Sequence, residues 1–208
     1  GDYSAVLGGR GNIAGDPNLS DHTIVRWASV SGGQFNKASG LSSCVSGGSS
    51  NNAVGRVSSV SGGAFNTASG EGSSICGGTG NTAEGYHSSV SAGSGNKARG
   101  TASAVSGGSD NTVEEFSFAG SVSGGTENVV GGSYSSVSGG RFNRPSEWYL
   151  SVIGGGGTTV DIAGRLTAKV LTIVGGSDVS EQFRIGTAGF GVAPEPGMVL
   201  SIDEASPG

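Results

Sequence analysis

An all-β parallel β-solenoid of about 15 residues per coil is the fold class the sequence predicts, and three observations predict it. A unit typified by Ser59-Val60-Ser61-Gly62-Gly63-Ala64-Phe65-Asn66-Thr67-Ala68-Ser69-Gly70 recurs almost throughout the chain. Its β-branched residue returns as Val30, Val45, Val60, Ile75, Val90, Val105, Val122, Val137 and Val152, in steps of 15 except for 17 between Val105 and Val122. Asparagine keeps the same step through Asn36, Asn51, Asn66, Asn81, Asn96, Asn111, Asn128 and Asn143. A short fixed period of this kind marks a stack of identical supersecondary units.

Each unit reads as two short strands. Ser-x-Val-Ser-Gly-Gly carries a β-branched residue in alternation with small polar ones. In Asn-x-Ala-x-Gly, the second position after asparagine holds Ala38, Ala53, Ala68, Ala83, Ala98, Val113 and Val130, while the first holds Lys37, Asn52, Thr67, Thr82, Lys97, Thr112 and Val129. Apolar against mostly polar at period two is the in/out pattern of a strand. Gly-Gly and the later glycine are expected to mark the corners, where positive φ costs glycine little. With coils stacked about 4.8 Å apart, ten valine-bearing coils would rise about 48 Å.

Composition narrows the class. The 208 residues include 43 glycines, and the strict period sets the chain apart from flexible Gly/Ser linkers. Glycine does not fall at every third position, which excludes collagen. A net charge of −5 offers no basic field for nucleic acid, so no nucleic-acid partner is expected. No apolar run approaches a membrane span, and no membrane insertion is expected from this segment. The two cysteines, Cys44 and Cys76, do not define the fold. They fall in coils two steps apart, so no intrachain bridge is expected.

Taken in order, residues 1–157 form the repeat domain, opening on the degenerate copy Ala5-Val6-Leu7-Gly8-Gly9-Arg10-Gly11-Asn12. Residues 16–27 lengthen one coil by nine and read as a cap over the N-terminal edge, with Trp27 covering the first coils. Phe35, Phe65 and Phe142 share one repeat position and are expected to fill an axis between chains, or to present an aromatic binding patch. Residues 114–119 carry two extra residues, two phenylalanines (Phe116 and Phe118) and two carboxylates. They form either a bulge docking on a neighbouring chain or a ligand loop. The glycines at 154–157 mark a boundary, and 158–208 is expected to be a connector and small β region. Pro207-Gly208 is a turn with no strand after it, so a longer polypeptide is expected.

Catalytic and metal chemistry find little footing. His22 and His87 lie about four coils apart, too far for one triad or metal site, and no metal or cofactor is expected. Gly8-Gly9-Arg10-Gly11-Asn12 has asparagine where a calcium repeat needs aspartate. No Gly-Lys-Ser/Thr follows the glycines as a phosphate loop requires. The many serines are read as solvated or ladder-forming. The file Lys37, Asn52, Thr67, Thr82, Lys97, Thr112 is too interrupted by charge for an ice-binding face. Asp110 and Glu127 occupy one position in adjacent coils, a separation that suits paired carboxylates in glycoside cleavage. A solvated corner is the preferred reading, so the chain is not expected to be an enzyme.

One valine and one alanine per coil make a thin core for the backbone that must be ordered, so lateral association of chains is expected. The unit resembles the head repeat of trimeric autotransporter adhesins, a Ser-Val-Ala-Ile-Gly-like strand followed by a short Asn/Ala/Gly segment. Ala5-Val6-Leu7-Gly8 and Ser151-Val152-Ile153-Gly154 come closest, whereas Ser59-Val60-Ser61-Gly62-Gly63 has glycine at the second aliphatic position. The resemblance covers residues 1–157 and implies a left-handed β-roll assembled as a homotrimer. Similar repeats occur in phage and phage-like tail fibres, whose trimeric β connectors the Leu-Thr strands of residues 158–208 also resemble. The expected function is a fibre segment of an extracellular or virion-like appendage that attaches to a host surface glycan or protein. A trimeric adhesin head is the alternative, and a polysaccharide-cleaving spike a distant third.

Overall fold

The computed structural model describes residues 3–15, 27–146 and 148–155. The chain divides into two units, Gly1–Ala163 and Gly164–Gly208, and every described residue lies in the first. The expectations for a cap over 16–26 and for a connector over 158–208 fall outside the described residues.

The described residues form an all-β parallel solenoid without helix. Each regular coil supplies two two-residue strands, Ser59–Val60 and Thr67–Ala68 in the typical unit. The valine strands stack into a ten-stranded parallel sheet from Ala5–Val6 to Ser151–Val152. The alanine strands stack into an eight-stranded one from Ile13–Ala14 to Val129–Val130, so about eight turns carry both. The register is one repeat per step, with Ser59 opposite Ser74, Val60 opposite Ile75 and Thr67 opposite Thr82. A third ladder of single-residue bridges runs from Arg10 and Gln34 through Ala64 and Thr79 to Thr126 and Arg141. The 17-residue coil leaves all three ladders in register: Val105 pairs with Val122, Thr112 with Val129 and Ser109 with Thr126.

The period-two alternation sorts side chains as expected. The valine file from Val30 to Val137 and the alanine file from Ala38 to Val130 are wholly buried, while the residue before each faces outward. Half of the interior is nevertheless polar. Ser43, Ser58, Ser73, Ser88 and Ser103 are buried one per coil, so the reading of the serines as solvated or ladder-forming fails for this inner file, whereas Ser46, Ser61 and Ser91 are exposed. The hydroxyl of Ser73 donates to the carbonyl of Gly70 at 2.7 Å, closing the turn between the two strands.

Asparagine fills the rest. Asn66 donates from Nδ2 to the carbonyls of Gly62 in its own coil and Gly78 in the next, both at 3.0 Å. Its Oδ1 accepts the backbone N–H of Asn81 at 3.0 Å. Asn36, Asn51, Asn81 and Asn96 repeat this pattern. A buried amide is tolerated only where its donors and acceptor are matched. Here they are matched by backbone groups that the turning chain points inward, which explains why asparagine keeps the period as strictly as valine.

The corners differ from the expectation that all repeat glycines need positive φ. Gly63, second of its pair, has φ 82°, and a Cβ there would strike the carbonyl of Gly78. Gly70 lies outside that region of φ. It is glycine because a Cβ would run into the carbonyl of Gly85, one coil away. Positive φ falls also at two further positions per coil, held by glycine in some coils and by other residues in most, such as Phe65 at 58° and Val57 at 56°. Most ladder N–H groups donate to the following coil, as Ser59 does to Ser73 and Thr67 to Asn81. At these two positions the peptide is reversed: Phe65 N–H donates back to Ser49 at 3.0 Å, and Val57 N–H back to Leu41 at 2.7 Å. The hydrogen bond holds a left-handed residue that sterics alone would disfavour.

Candidate functional site

The two reversed peptides define two corner files that project side chains away from the coil, and the candidate binding residues sit there. The first file reads Phe35, Ser50, Phe65, Gly80, Gly95, Asp110, Glu127, Phe142. The three phenylalanines are 53%, 65% and 59% exposed, and polar residues or glycines separate them. The Arg10 guanidinium lies 5.5 Å from the ring centre of Phe35, and that of Arg141 lies 4.2 Å from Phe142. Arginine thus covers part of two of these rings.

Asp110 and Glu127 do stack in adjacent coils of this file, because the two extra residues are absorbed at the other corner. Together with Val129, Phe142, Asn143 and Arg144 they line a shallow cleft of about 370 Å³. Both carboxylates are exposed and already engaged. Asp110 accepts the Ser109 hydroxyl at 2.7 Å, Glu127 faces Arg141 at 3.6 Å, and Arg144 pairs with Glu114 at 3.0 Å. The cleft can offer hydrogen-bond acceptors and one aromatic edge to a polar ligand.

The second corner carries the insertion. Phe118 takes the position of Glu71 in the regular coil, Ala119 that of Gly72, and Glu115-Phe116 are the two added residues. Ser117 stands where the repeat has its close-packed glycine, and Gly120 where it has the inner serine. The Ser117 side chain fills the space a Cβ on Gly120 would need and donates to the Gly132 carbonyl at 2.8 Å. The Ser133 hydroxyl in the next coil accepts the N–H of Phe118 at 3.0 Å. The loop is therefore tied to the ladder, while Phe116 stands 91% exposed.

Beyond Ala119 the file continues as Tyr134 and Tyr149, which sequence reasoning did not single out. The ring centres of Phe118 and Tyr134 are 5.3 Å apart. Those of Tyr134 and Tyr149 are 5.2 Å apart with planes only 6° from parallel. Trp148 meets Tyr149 edge-on at 6.4 Å. Tyr134 and Tyr149 are one repeat apart and in register with Ala119, a signal visible once the corner file is aligned as the valine file was. Of the residues expected to bind, only Phe118 meets another aromatic ring, and Phe116 stands two residues before it in the same loop. Phe35, Phe65 and Phe142 stand apart on the first corner. Trp27 is 59% exposed beside Ala28.

Elsewhere on the described surface, charges pair between coils: Arg56 with Glu71 at 2.6 Å and Glu84 with Arg99 at 3.4 Å. His87 packs on Tyr86, with ring centres 4.1 Å apart. Both cysteines are free, Cys44 half-buried and Cys76 exposed. No group of three or more His, Cys, Asp or Glu among the described residues is gathered as a metal site, and no helix there is long and apolar enough to cross a membrane. No protein-family model matches this chain, and no curated protein matches it.

Proposed function

We propose that this chain is a structural segment of an extracellular or virion-like fibre, assembled as a homotrimer, that presents a surface for attachment. The observation that supports the reading is a division of labour within each coil. Backbone groups and inner side chains are consumed by the stack itself, while large aromatic groups are held outward on the corners. Such a stack extends by repetition and leaves few free backbone groups along its length. Its resistance to proteases follows, since cleavage requires local opening of the chain. Three-fold association deepens a core that offers one valine and one alanine per coil. A trimeric adhesin head is the alternative setting for the same arrangement.

Light scattering combined with limited proteolysis tests this reading. The expected result is a trimer whose regular coils resist a protease that digests unfolded chains. A monomer that is cut readily between residues 30 and 140 would contradict it. The carboxylate cleft favours one second reading, a polysaccharide-cleaving spike acting through Asp110 and Glu127. Glycan cleavage abolished by Asp110→Asn with Glu127→Gln would establish that reading. An attachment fibre is expected to retain its stability and its binding in that double variant.

A further inference from the structure

Glycine stands two places after the valine in every coil from Gly8 to Gly139 except one, which has Ala92. The single chain gives no reason for it. Gly62 and its equivalents lie outside the left-handed region of φ, and a Cβ built on any of them meets no atom within 4 Å. Ala92 shows that the backbone accepts a side chain there. The next glycine, Gly63 in the typical coil, is explained by its φ and by the Gly78 carbonyl; Gly62 is not. Copying of the repeat does not explain it either, because the places just beyond have diverged freely. They read Arg10, Gln34, Ala64 and Thr79 in one file, and Phe65, Gly80, Asp110 and Glu127 in the other. A glycine kept where the single chain has open space marks the close approach of something outside that chain.

The surroundings of this file agree. The outward residues on either side of the valine, such as Ser59 and Ser61, are serine, alanine or cysteine in every coil from Val30 to Val137, and none is charged. The described ion pairs, such as Arg56–Glu71, Glu84–Arg99 and Glu114–Arg144, all lie on other files. Leu7 and Ile153, 75% and 56% exposed, close the serine file at its two ends. The N–H groups of Gly62 and Gly77 find no acceptor among the described residues and are free to donate to a partner.

We propose that the outer face of the ten-stranded valine sheet, with its glycine edge, is the surface on which a second copy of this chain packs, parallel and coil against coil. The proposal rests on the reading that chains associate, and assigns that association a face. The partner is a copy because the demand for glycine returns at every coil, and a copy meets each coil with the same rise. A ligand of any other repeat would fall out of step along the stack. Four residues across and ten strands along, the face measures about 13 Å by about 45 Å, or about 600 Å². Two such faces bury about 1,200 Å², above the roughly 1,000 Å² that a specific interface needs. Absence of charge is the composition of an interface core.

Gly62→Gln/Gly77→Gln adds two uncharged side chains into space that is open in the single chain. Ala64→Gln/Thr79→Gln is the control, in the file where Gln34 stands naturally. Sedimentation of the full chain over a dilution series is expected to show wild type and control assembled alike. The glycine variant is expected to dissociate at a concentration at least tenfold higher. Assembly equal to wild type in the glycine variant overturns the proposal, and so does equal weakening in the control. Because loss of assembly can carry the fold with it, a cross-link in the assembled protein is the second measurement. In a Cys44→Ser/Cys76→Ser background, Ser46→Cys places one exposed thiol on the face, in the coil of the third of its ten strands. A short bismaleimide is expected to join two chains through it, and not through Ser69→Cys beside the alanine strand. An antiparallel partner would hold the two thiols about five coils, or about 24 Å, apart. No cross-link through Ser46→Cys, or an equal one through Ser69→Cys, therefore overturns the proposal. If wild type is assembled but fails these tests, the face falls while association stands. If wild type sediments as one chain, both fall.

Discussion

Asn66 shows how much of this fold is carried by one polar side chain. Its amide serves two carbonyls and one N–H drawn from three places, and no apolar residue replaces those partners. Asn66→Ala would leave the Gly62 carbonyl and the Asn81 N–H unmatched, at about 1–3 kcal/mol each, while the Gly78 carbonyl keeps the N–H of Ala64. A loss of about 2–6 kcal/mol is expected on that basis, read from the shift of a urea unfolding curve; a loss below about 1 kcal/mol would remove the asparagine from the core account. The two kinds of corner position make an opposite pair. Phe65→Gly relieves a left-handed residue at φ 58° and is expected to change stability by no more than about 1 kcal/mol. Gly70→Ala forces a Cβ against the Gly85 carbonyl and is expected to cost about 3 kcal/mol. Equal thermal shifts for these two variants would show that the corner geometry is misassigned. The recurrence of asparagine was legible in the sequence, but its task was not. Nothing in the residue type distinguishes an amide that caps its own corner from one exposed at a strand start.

The coil is the unit on which the ladders act, and it behaves as an interchangeable part. Deleting residues 57–71 joins Arg56 to Gly72, which restores the sequence of corner positions and loses one Arg56–Glu71 ion pair. That exposed pair is worth at most about 1 kcal/mol. The shortened chain is expected to fold with one fewer coil and a stack shorter by about 4.8 Å, measurable by electron microscopy of the assembled fibre. Loss of all β structure by circular dichroism would count against the solenoid. The valine and alanine files, and with them the strand pairs, could be read from period two nested within period 15. The third ladder could not, because its members, from Gln34 and Ser49 to Ala64 and Thr79, share no side-chain character. The aromatic cluster was half legible. Phe116 and Phe118 announced themselves in an insertion, whereas Tyr134 and Tyr149 sit inside coils of normal length.

At the scale of the whole molecule, stacking sets what distant residues can do together. Cys44 pairs in register with Ser59, which pairs with Ser74, two residues before Cys76, so two coil steps separate the cysteines. Two steps are about 9–10 Å, whereas a disulfide needs Cα atoms within about 7 Å. Oxidation is therefore expected to leave no Cys44–Cys76 bridge within a chain, and peptide mapping under non-reducing conditions checks it. Association is the larger question. Exposed Tyr3, Leu7, Phe35 and Phe65, on coils whose own apolar core is one valine and one alanine wide, favour chains that are not alone. Sedimentation equilibrium of the full chain at micromolar concentration tests the fibre account most directly. The account predicts a single species of three chain masses that keeps its β structure on dilution. A folded, stable species of one chain mass would contradict it.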